Sequence, residues 1–244
     1  MHAGDVHVWS ARLDLPTTTL RSLAATLTDE EAARATSQRL PRERDRLSAA
    51  RGILRDILGR YLGKSPAQLR LRCGPYGKPE LDTDDPAPLR FNLAHADGMA
   101  LYAISMGREV GIDIERVRAE VDHAAITAEL FAAGERVALQ ALPDGPNRLR
   151  AFFTHWVCKE AYMKARGLGH NLPLAAVQVD LSGWLPYFSA LDADSGGLER
   201  WSLRQIAVEE SDFVAAVVVE GQLRQAISYV WSDPGLHIGN SDLL

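Results

Sequence analysis

The chain has 244 residues, of which 46% are hydrophobic and 24% are charged, and its formal net charge is −5. This composition is ordinary for a soluble globular protein, and the net acidity argues against general nucleic-acid binding. No apolar run approaches the ~20 residues of a membrane-spanning helix, and the first residues lack the features of a signal peptide. The two cysteines, Cys73 and Cys158, form neither a disulfide framework nor a metal-binding pattern. We therefore expect a cytoplasmic protein that does not bind membranes.

The first half of the chain is predicted to place two helices among short strands. The alternation of apolar and polar residues over positions 6–9 indicates a first strand. Thr28 caps a helix in which Glu31 completes a capping box, and Pro41 begins a second helix that Gly63 ends. Further strands are predicted at residues 69–72, 90–93, 99–105 and 110–115, with loops at residues 73–79 and 83–88.

The second half repeats this order of helices and strands. A helix is predicted over residues 124–142, with a possible break near Gly134, and another over residues 149–166. Strands are predicted at residues 177–181, 201–208, 213–219 and 228–231. Helices followed by strands, twice, indicate an α+β fold of two similar α/β halves, residues 1–108 and 109–232, with a frayed tail at residues 233–244.

Eight arginines lie between residues 34 and 60, opposed by three acidic residues, so this segment carries a local charge of about +5. Such a segment can attract a polyanion. The same pattern is also typical of a solvated helix face with ion pairs three and four residues apart, and on charge alone that explanation is favoured.

The strand at residues 110–115 carries two carboxylates. Side chains alternate along a strand, so Asp113 and Glu115 are predicted to share one face, about 7 Å apart, opposite Val110, Ile112 and Ile114. A hard cation such as Mg²⁺ would relieve their repulsion. Taken alone, however, the pair is better explained as a solvated acidic edge.

Two other segments carry candidate functional side chains. Trp156, Glu160 and Lys164 are four residues apart and therefore share one face of the helix that Gly167 ends. A Glu–Lys pair at this spacing is also a common helix stabiliser, but Trp156 indicates that the face is partly buried. In residues 91–96, His95 is predicted to follow a strand in a turn where it can donate to an anion, although a lone histidine is more often structural.

The order and spacing of these segments resemble the surfactin-type 4′-phosphopantetheinyl transferases. That family carries a Gly-Lys-Pro loop, a Phe-Asn-x-Ser-His segment, a Gly-x-Asp-x-Glu strand and a Trp-x-x-Lys-Glu helix that continues to Gly-x-Gly. The corresponding segments here are Gly77-Lys78-Pro79, Phe91-Asn92-Leu93-Ala94-His95, Gly111-Ile112-Asp113-Ile114-Glu115, and Trp156 to Gly169.

The resemblance implies a pseudo-dimer of two α/β halves with the active site in the cleft between them, acting as a monomer. It implies that Asp113, Glu115 and Glu160 bind Mg²⁺ and that Lys164 meets the pyrophosphate of coenzyme A. The resemblance also implies further contacts to coenzyme A from seven other residues: Arg42, Arg46, Arg51, Lys78, Asn92, His95 and Lys159.

The implied reaction transfers the phosphopantetheine arm of coenzyme A to a serine of an apo acyl or peptidyl carrier protein and releases 3′,5′-ADP. Positioning and charge neutralisation would supply most of the catalysis. Glu160 or a water on the metal would deprotonate the serine, with Lys164 and Asp113 as the other catalytic residues. Two alternatives are a Mg²⁺-dependent hydrolase of coenzyme A or a nucleotide pyrophosphate, and a non-catalytic carrier-protein binder.

One position departs from the family pattern. Ala94 stands where the family usually has serine, directly before His95. Because alanine lacks the hydroxyl that could donate to a phosphate, we expect weaker binding of the 3′-phosphate but no loss of activity.

Overall fold

The computed structural model describes residues 1–2, 4–85 and 88–233. Helices and strands are interspersed along the chain, which confirms the predicted α+β class. In chain order the elements are β1 (Asp5–Arg12), α1 (Thr17–Ala24), α2 (Asp29–Thr36), α3 (Pro41–Leu62), β2 (Leu71–Cys73), β3 (Pro79–Leu81), β4 (Leu89–Ala96), β5 (Met99–Met106), β6 (Val110–Arg116), α4 (His123–Leu130), α5 (Ala133–Ala141), α6 (Pro146–Arg166), β7 (Gln178–Asp180), β8 (Tyr187–Ala190), β9 (Trp201–Ile206), β10 (Phe213–Glu220) and β11 (Gln225–Val230).

The chain forms two compact units. The first comprises Met1–Val8 and Arg70–Ser228, and the second comprises Trp9–Leu69 together with the chain from Tyr229 onward. Residues on both sides of position 108 belong to the first unit, so 108 is not a boundary between these units. The proposed division into two similar halves stays a prediction, and the expected frayed tail lies, apart from Asp233, outside the described residues.

The second unit is built on α3, whose predicted bounds are confirmed. Its apolar face buries Ile53, Leu54, Ile57 and Leu58 completely. The helix ends at Gly63, which adopts a left-handed conformation with φ 62°. The predicted capping box at the start of α2 is also present, since the Thr28 hydroxyl accepts from the Glu31 amide and the Glu31 carboxylate accepts from the Thr28 amide.

The first unit contains the antiparallel sheet β6-β10-β9, with β10 in the centre. Side chains of β10 alternate between two apolar clusters, because successive residues of a strand face opposite sides. One cluster joins Val214, Ala216 and Val218 to the buried face of α6. The other joins Ala215, Val217 and Val219 to residues of β4, β5 and β6. Strand β6 is therefore buried on both faces. The strand order of the other large sheet is β11-β1-β5-β4.

Three local predictions differ from the structure. The helix predicted over residues 124–142, with a possible break near Gly134, forms the two helices α4 and α5, and the break lies at Phe131 and Ala132, which are extended; the Phe131 ring is buried. Strand β4 continues through His95 to Ala96, so His95 lies on a strand and the turn falls at Asp97 and Gly98. Helix α1 and the strands β3 and β8 were not predicted.

In the described part of the chain, no helix combines the length and apolar character that crossing a bilayer requires.

Candidate active site

The face of β6 that carries the two carboxylates lies against α6. Val110, Ile112 and Ile114 point into the cluster shared with β4 and β5, as predicted. Gly111, Asp113 and Glu115 occupy the opposite face. Asp113 is only 5% exposed, so this is a buried acidic site and not the solvated edge that the sequence alone favoured.

Gly111 allows helix and strand to approach closely. A Cβ at this position would lie 2.1 Å from the carbonyl oxygen of Ala161 and 2.2 Å from the amide nitrogen of Ala165. No side chain other than hydrogen fits there. The contact brings the adjacent residues of α6, Glu160 and Lys164, toward the acidic face of β6.

Lys164 and Asp113 form an ion pair at the centre of the site. The Lys164 Nζ atom donates to Asp113 Oδ1 at 2.6 Å. The second oxygen, Asp113 Oδ2, is buried and has no hydrogen-bond partner. Because a buried carboxylate oxygen without a partner is costly, this atom marks a place for a cation or a donor.

Burial dominates the electrostatics of this carboxylate. It raises the pKa of Asp113 to about 7; Lys164 opposes the shift, and the charges of Glu160 and Glu115 add to it. Burial also raises the pKa of Glu115, against the opposing effects of Arg118 and Lys164. The three acidic side chains therefore act on one another as like charges, and a cation among them would relieve this repulsion.

The carboxylate oxygens of this site are of the chemical type that binds Mg²⁺. Among the described residues, no group of three or more His, Cys, Asp and Glu side chains is arranged to hold a metal ion, and Lys164 covers one oxygen of Asp113. Mg²⁺, however, commonly takes one or two carboxylates and completes its shell with phosphate oxygens and water. The free Oδ2 atom of Asp113 and the neighbouring carboxylates satisfy that requirement.

Lys78 does not have the exposed ammonium that a contact with coenzyme A requires. Its side chain is 8% exposed, and burial lowers the pKa of its ammonium. The Nζ atom donates to Glu109 Oε2 at 2.8 Å, to the Val110 carbonyl at 3.1 Å and to the Ala165 carbonyl at 2.8 Å. The structure therefore does not support the predicted contact.

Lys159 is likewise an interior residue. Its side chain is fully buried, and its ammonium donates to Glu135 Oε2 at 2.7 Å and to the carbonyls of Leu174 and Val177. It lies next to Glu160 in sequence but on the buried face of α6. We correct its predicted coenzyme A contact to a structural role.

The segment on β4 divides between two roles. Asn92 is buried, and its Oδ1 atom accepts from the Ile112 amide at 2.9 Å, which ties β4 to β6. This bond gives Asn92 a structural role, and its contact with coenzyme A stays a prediction. Ala94 is 4% exposed and packs in the cluster of β4, β5 and β6, so a serine hydroxyl there would point into the core. His95 is exposed and remains a candidate for phosphate binding.

The candidate arginines belong to the second unit. Arg42 and Arg46 both bind Asp14, with N–O distances of 2.7 and 2.8 Å, and they hold the pKa of that carboxyl well below its usual range. Arg51 is half-buried. Arg55 is fully buried and forms an ion pair with Glu31, in which Arg55 Nε lies 2.7 Å from Glu31 Oε2. The basic segment thus combines exposed ion pairs with an interior one, and a phosphate contact by its arginines stays a prediction.

Two acidic residues that organise the site were missed. Glu109 binds Lys78, and Glu135 binds Lys159. Glu109 directly precedes the predicted strand, and Glu135 lies beside the expected helix break. These positions do not identify a partner that is distant in sequence. Only the fold brings these pairs together.

Comparison with known proteins identifies the family. Residues 109–218, which include Asp113, Glu115, Glu160 and Lys164, match the model of the ACPS family, the 4′-phosphopantetheinyl transferase superfamily. The chain is 39% identical to the 4′-phosphopantetheinyl transferase HetI of Nostoc sp. over 218 residues, covering 89% of this chain and 88% of HetI. It is 32% identical to the putative 4′-phosphopantetheinyl transferase slr0495 of Synechocystis sp., covering 80% and 77% of the two chains. It is 34% identical to the 4′-phosphopantetheinyl transferase gsp of Aneurinibacillus migulanus, over 52% and 51% of the two chains. With a relative this similar over nearly its whole length, the chain belongs to the 4′-phosphopantetheinyl transferase superfamily and is a phosphopantetheinyl transferase.

Proposed function

We propose that this transferase moves the phosphopantetheine arm of coenzyme A to a serine of an apo acyl or peptidyl carrier protein in a Mg²⁺-dependent reaction. The observation that carries the metal requirement is the buried, unpartnered Oδ2 atom of Asp113 beside two further carboxylates. Asp113, Glu115 and Glu160 would hold the ion. When bound, Mg²⁺ would neutralise pyrophosphate oxygens and stabilise the charge that builds on the leaving phosphate.

The serine oxygen attacks the phosphorus that bears the pantetheine arm, and the bond from that phosphorus to the 5′-phosphate oxygen of 3′,5′-ADP breaks. Glu160, half-buried on the exposed side of α6, takes the proton of the serine hydroxyl. Lys164, whose side chain is 32% exposed, turns its ammonium toward the pyrophosphate and stabilises the developing charge. His95, exposed on β4, binds the 3′-phosphate.

Carrier labelling tests this proposal. The protein is incubated with coenzyme A, Mg²⁺ and an apo carrier protein, and the carrier is weighed by mass spectrometry. We expect a mass gain of one phosphopantetheine arm that a chelator abolishes and added Mg²⁺ restores. Cleavage of coenzyme A without carrier labelling would instead identify a hydrolase.

Glu160→Gln tests the role of the proposed base. The change keeps the side-chain shape and removes the charge, so the labelling rate should fall by about 10²–10⁴-fold. Glu199→Gln, at an exposed position, is the matched control and should label at the unchanged rate. Near-normal labelling by Glu160→Gln would show that another group removes the proton.

Three finer proposals concern subfamily, assembly and location. The Trp156-to-Gly169 motif supports a surfactin-type transferase. We also propose a monomer, to be checked by light scattering coupled to gel filtration. Both Cys73 and Cys158 are free thiols, which supports a cytoplasmic location, to be checked by fractionating cells that express the protein.

A further inference from the structure

The ammonium of Lys78 is saturated by protein acceptors. A lysine ammonium has three N–H donors, and the structure supplies three partners within 3.1 Å: Glu109 Oε2, the Val110 carbonyl and the Ala165 carbonyl. The side chain is 8% exposed. In this arrangement no N–H of Lys78 remains for a ligand.

Two of the three partners belong to the elements that form the active site, and the third, Glu109, directly precedes β6. Val110 begins β6, three residues before Asp113, and Ala165 directly follows Lys164 near the end of α6. Carbonyl groups in the last turn of a helix lack intrahelical donors, and the helix dipole favours a cation there. The ammonium therefore joins the start of the strand to the end of the helix.

Two glycines complete this junction. Gly111 lets α6 lie directly on β6, as described above. Gly167 ends α6 with φ +63°, and a Cβ at this residue would be 3.2 Å from Cδ of Lys78. The helix end thus packs against the aliphatic part of the lysine while the ammonium binds the helix carbonyl.

We propose that Lys78 is a positioning residue that fixes α6 against β6, so that Asp113 and Lys164 meet in the geometry the reaction needs, and that its ammonium does not bind coenzyme A. This inference rests on the proposed function and assigns a residue to it. A lysine that bound a phosphate would have to give up its bonds to Glu109 and to the two carbonyls, and Glu109 would keep its longer ion pair with Arg90, at 3.4 Å.

Lys78→Met separates positioning from binding, because methionine keeps most of the aliphatic stem and removes the ammonium. A displacement of about 1 Å at reacting groups can reduce a rate by about 10²-fold. We therefore expect kcat for carrier labelling to fall by at least about ten-fold at saturating coenzyme A. The Kd for coenzyme A, measured by calorimetry, should stay within about three-fold. An unchanged kcat, or a Kd raised by about ten-fold or more, would overturn the proposal.

Glu109→Gln is a second variant that keeps Lys78 and its two carbonyl bonds, so it tests the proposal even where Lys78→Met does not fold. The positioning role predicts a smaller fall in kcat, by about three- to ten-fold, with the Kd for coenzyme A unchanged. If Lys78 bound coenzyme A instead, freeing its ammonium from Glu109 would tighten binding, and a lower Kd would count against the proposal. Failure of the wild-type protein to label a carrier would refute the proposed function itself.

Discussion

Replacing Gly111 with alanine tests whether the contact between β6 and α6 sets the active-site geometry. The added Cβ would lie 2.1 Å from the Ala161 carbonyl oxygen, whereas ordinary van der Waals contact begins at 3.4 Å. Helix and strand would therefore have to separate by about 1 Å. Since the clashing atoms are backbone atoms that cannot rotate away, we expect a cost near the upper end of overpacking, about 3 kcal/mol.

Two measurements check this prediction. A loss of about 3 kcal/mol corresponds to a fall in Tm of about 6–12 °C for a chain of this size. The same displacement between Asp113 and Lys164 should lower kcat for carrier labelling by up to about 10²-fold. Calorimetric unfolding and mass-spectrometric labelling give the two numbers.

Gly134→Ala is the matched control, because a Cβ at Gly134 meets nothing within 4 Å and the residue lies in α5. Its Tm should be unchanged or slightly higher, since alanine is favoured over glycine in helices by about 0.5–1 kcal/mol. A Gly111→Ala protein with the Tm and kcat of the wild type would refute the reasoning.

Three further predictions follow from buried side chains. Ala94→Ser should lower the free energy of unfolding by about 1–3 kcal/mol, because its hydroxyl would be buried among apolar groups. Calorimetry should show no gain in coenzyme A affinity, and a ten-fold gain would contradict the inward placement. With chelator present, wild type should lose stability as pH rises from about 4 to about 7, because the raised pKa of Asp113 makes the folded chain hold this proton more tightly. Urea unfolding at about pH 5 and pH 8 measures this loss, which the Asp113→Asn protein should not show. An equal change in the free energy of unfolding in wild type and in Asp113→Asn would contradict the prediction. Lys159→Met should cost about 3–5 kcal/mol by leaving Glu135 buried without its ion pair, and Glu135→Leu in the same chain should recover part of the loss in urea unfolding.

Local chemistry made several elements predictable from the sequence. Pro41 and Gly63 bound α3 because proline suits a first helical turn and glycine adopts the left-handed end. The alternation of Val110, Ile112 and Ile114 identified the faces of β6, because strand geometry has a period of two. The same rule placed Asp113 and Glu115 together before any fold was known.

Contacts between residues distant in sequence were not predictable. The burial of Asp113 depends on α6 lying over Gly111, and a lone glycine in a strand does not reveal which element approaches it. Lys78 and Lys159 looked like ligands for an anion because both are cationic and belong to recognisable motifs. Their acidic partners, Glu109 and Glu135, are 31 and 24 residues away in sequence, and only the fold shows the pairing.

The unequal burial of the three motif lysines gives them different chemical reactivity. The side chains of Lys159 and Lys78 are 0% and 8% exposed, whereas that of Lys164 is 32% exposed. An amine-reactive reagent such as acetic anhydride should therefore modify Lys164 well before the other two. Protection of this one amine, followed by peptide mass mapping, would report ligand occupancy in preparations that have no carrier protein to label.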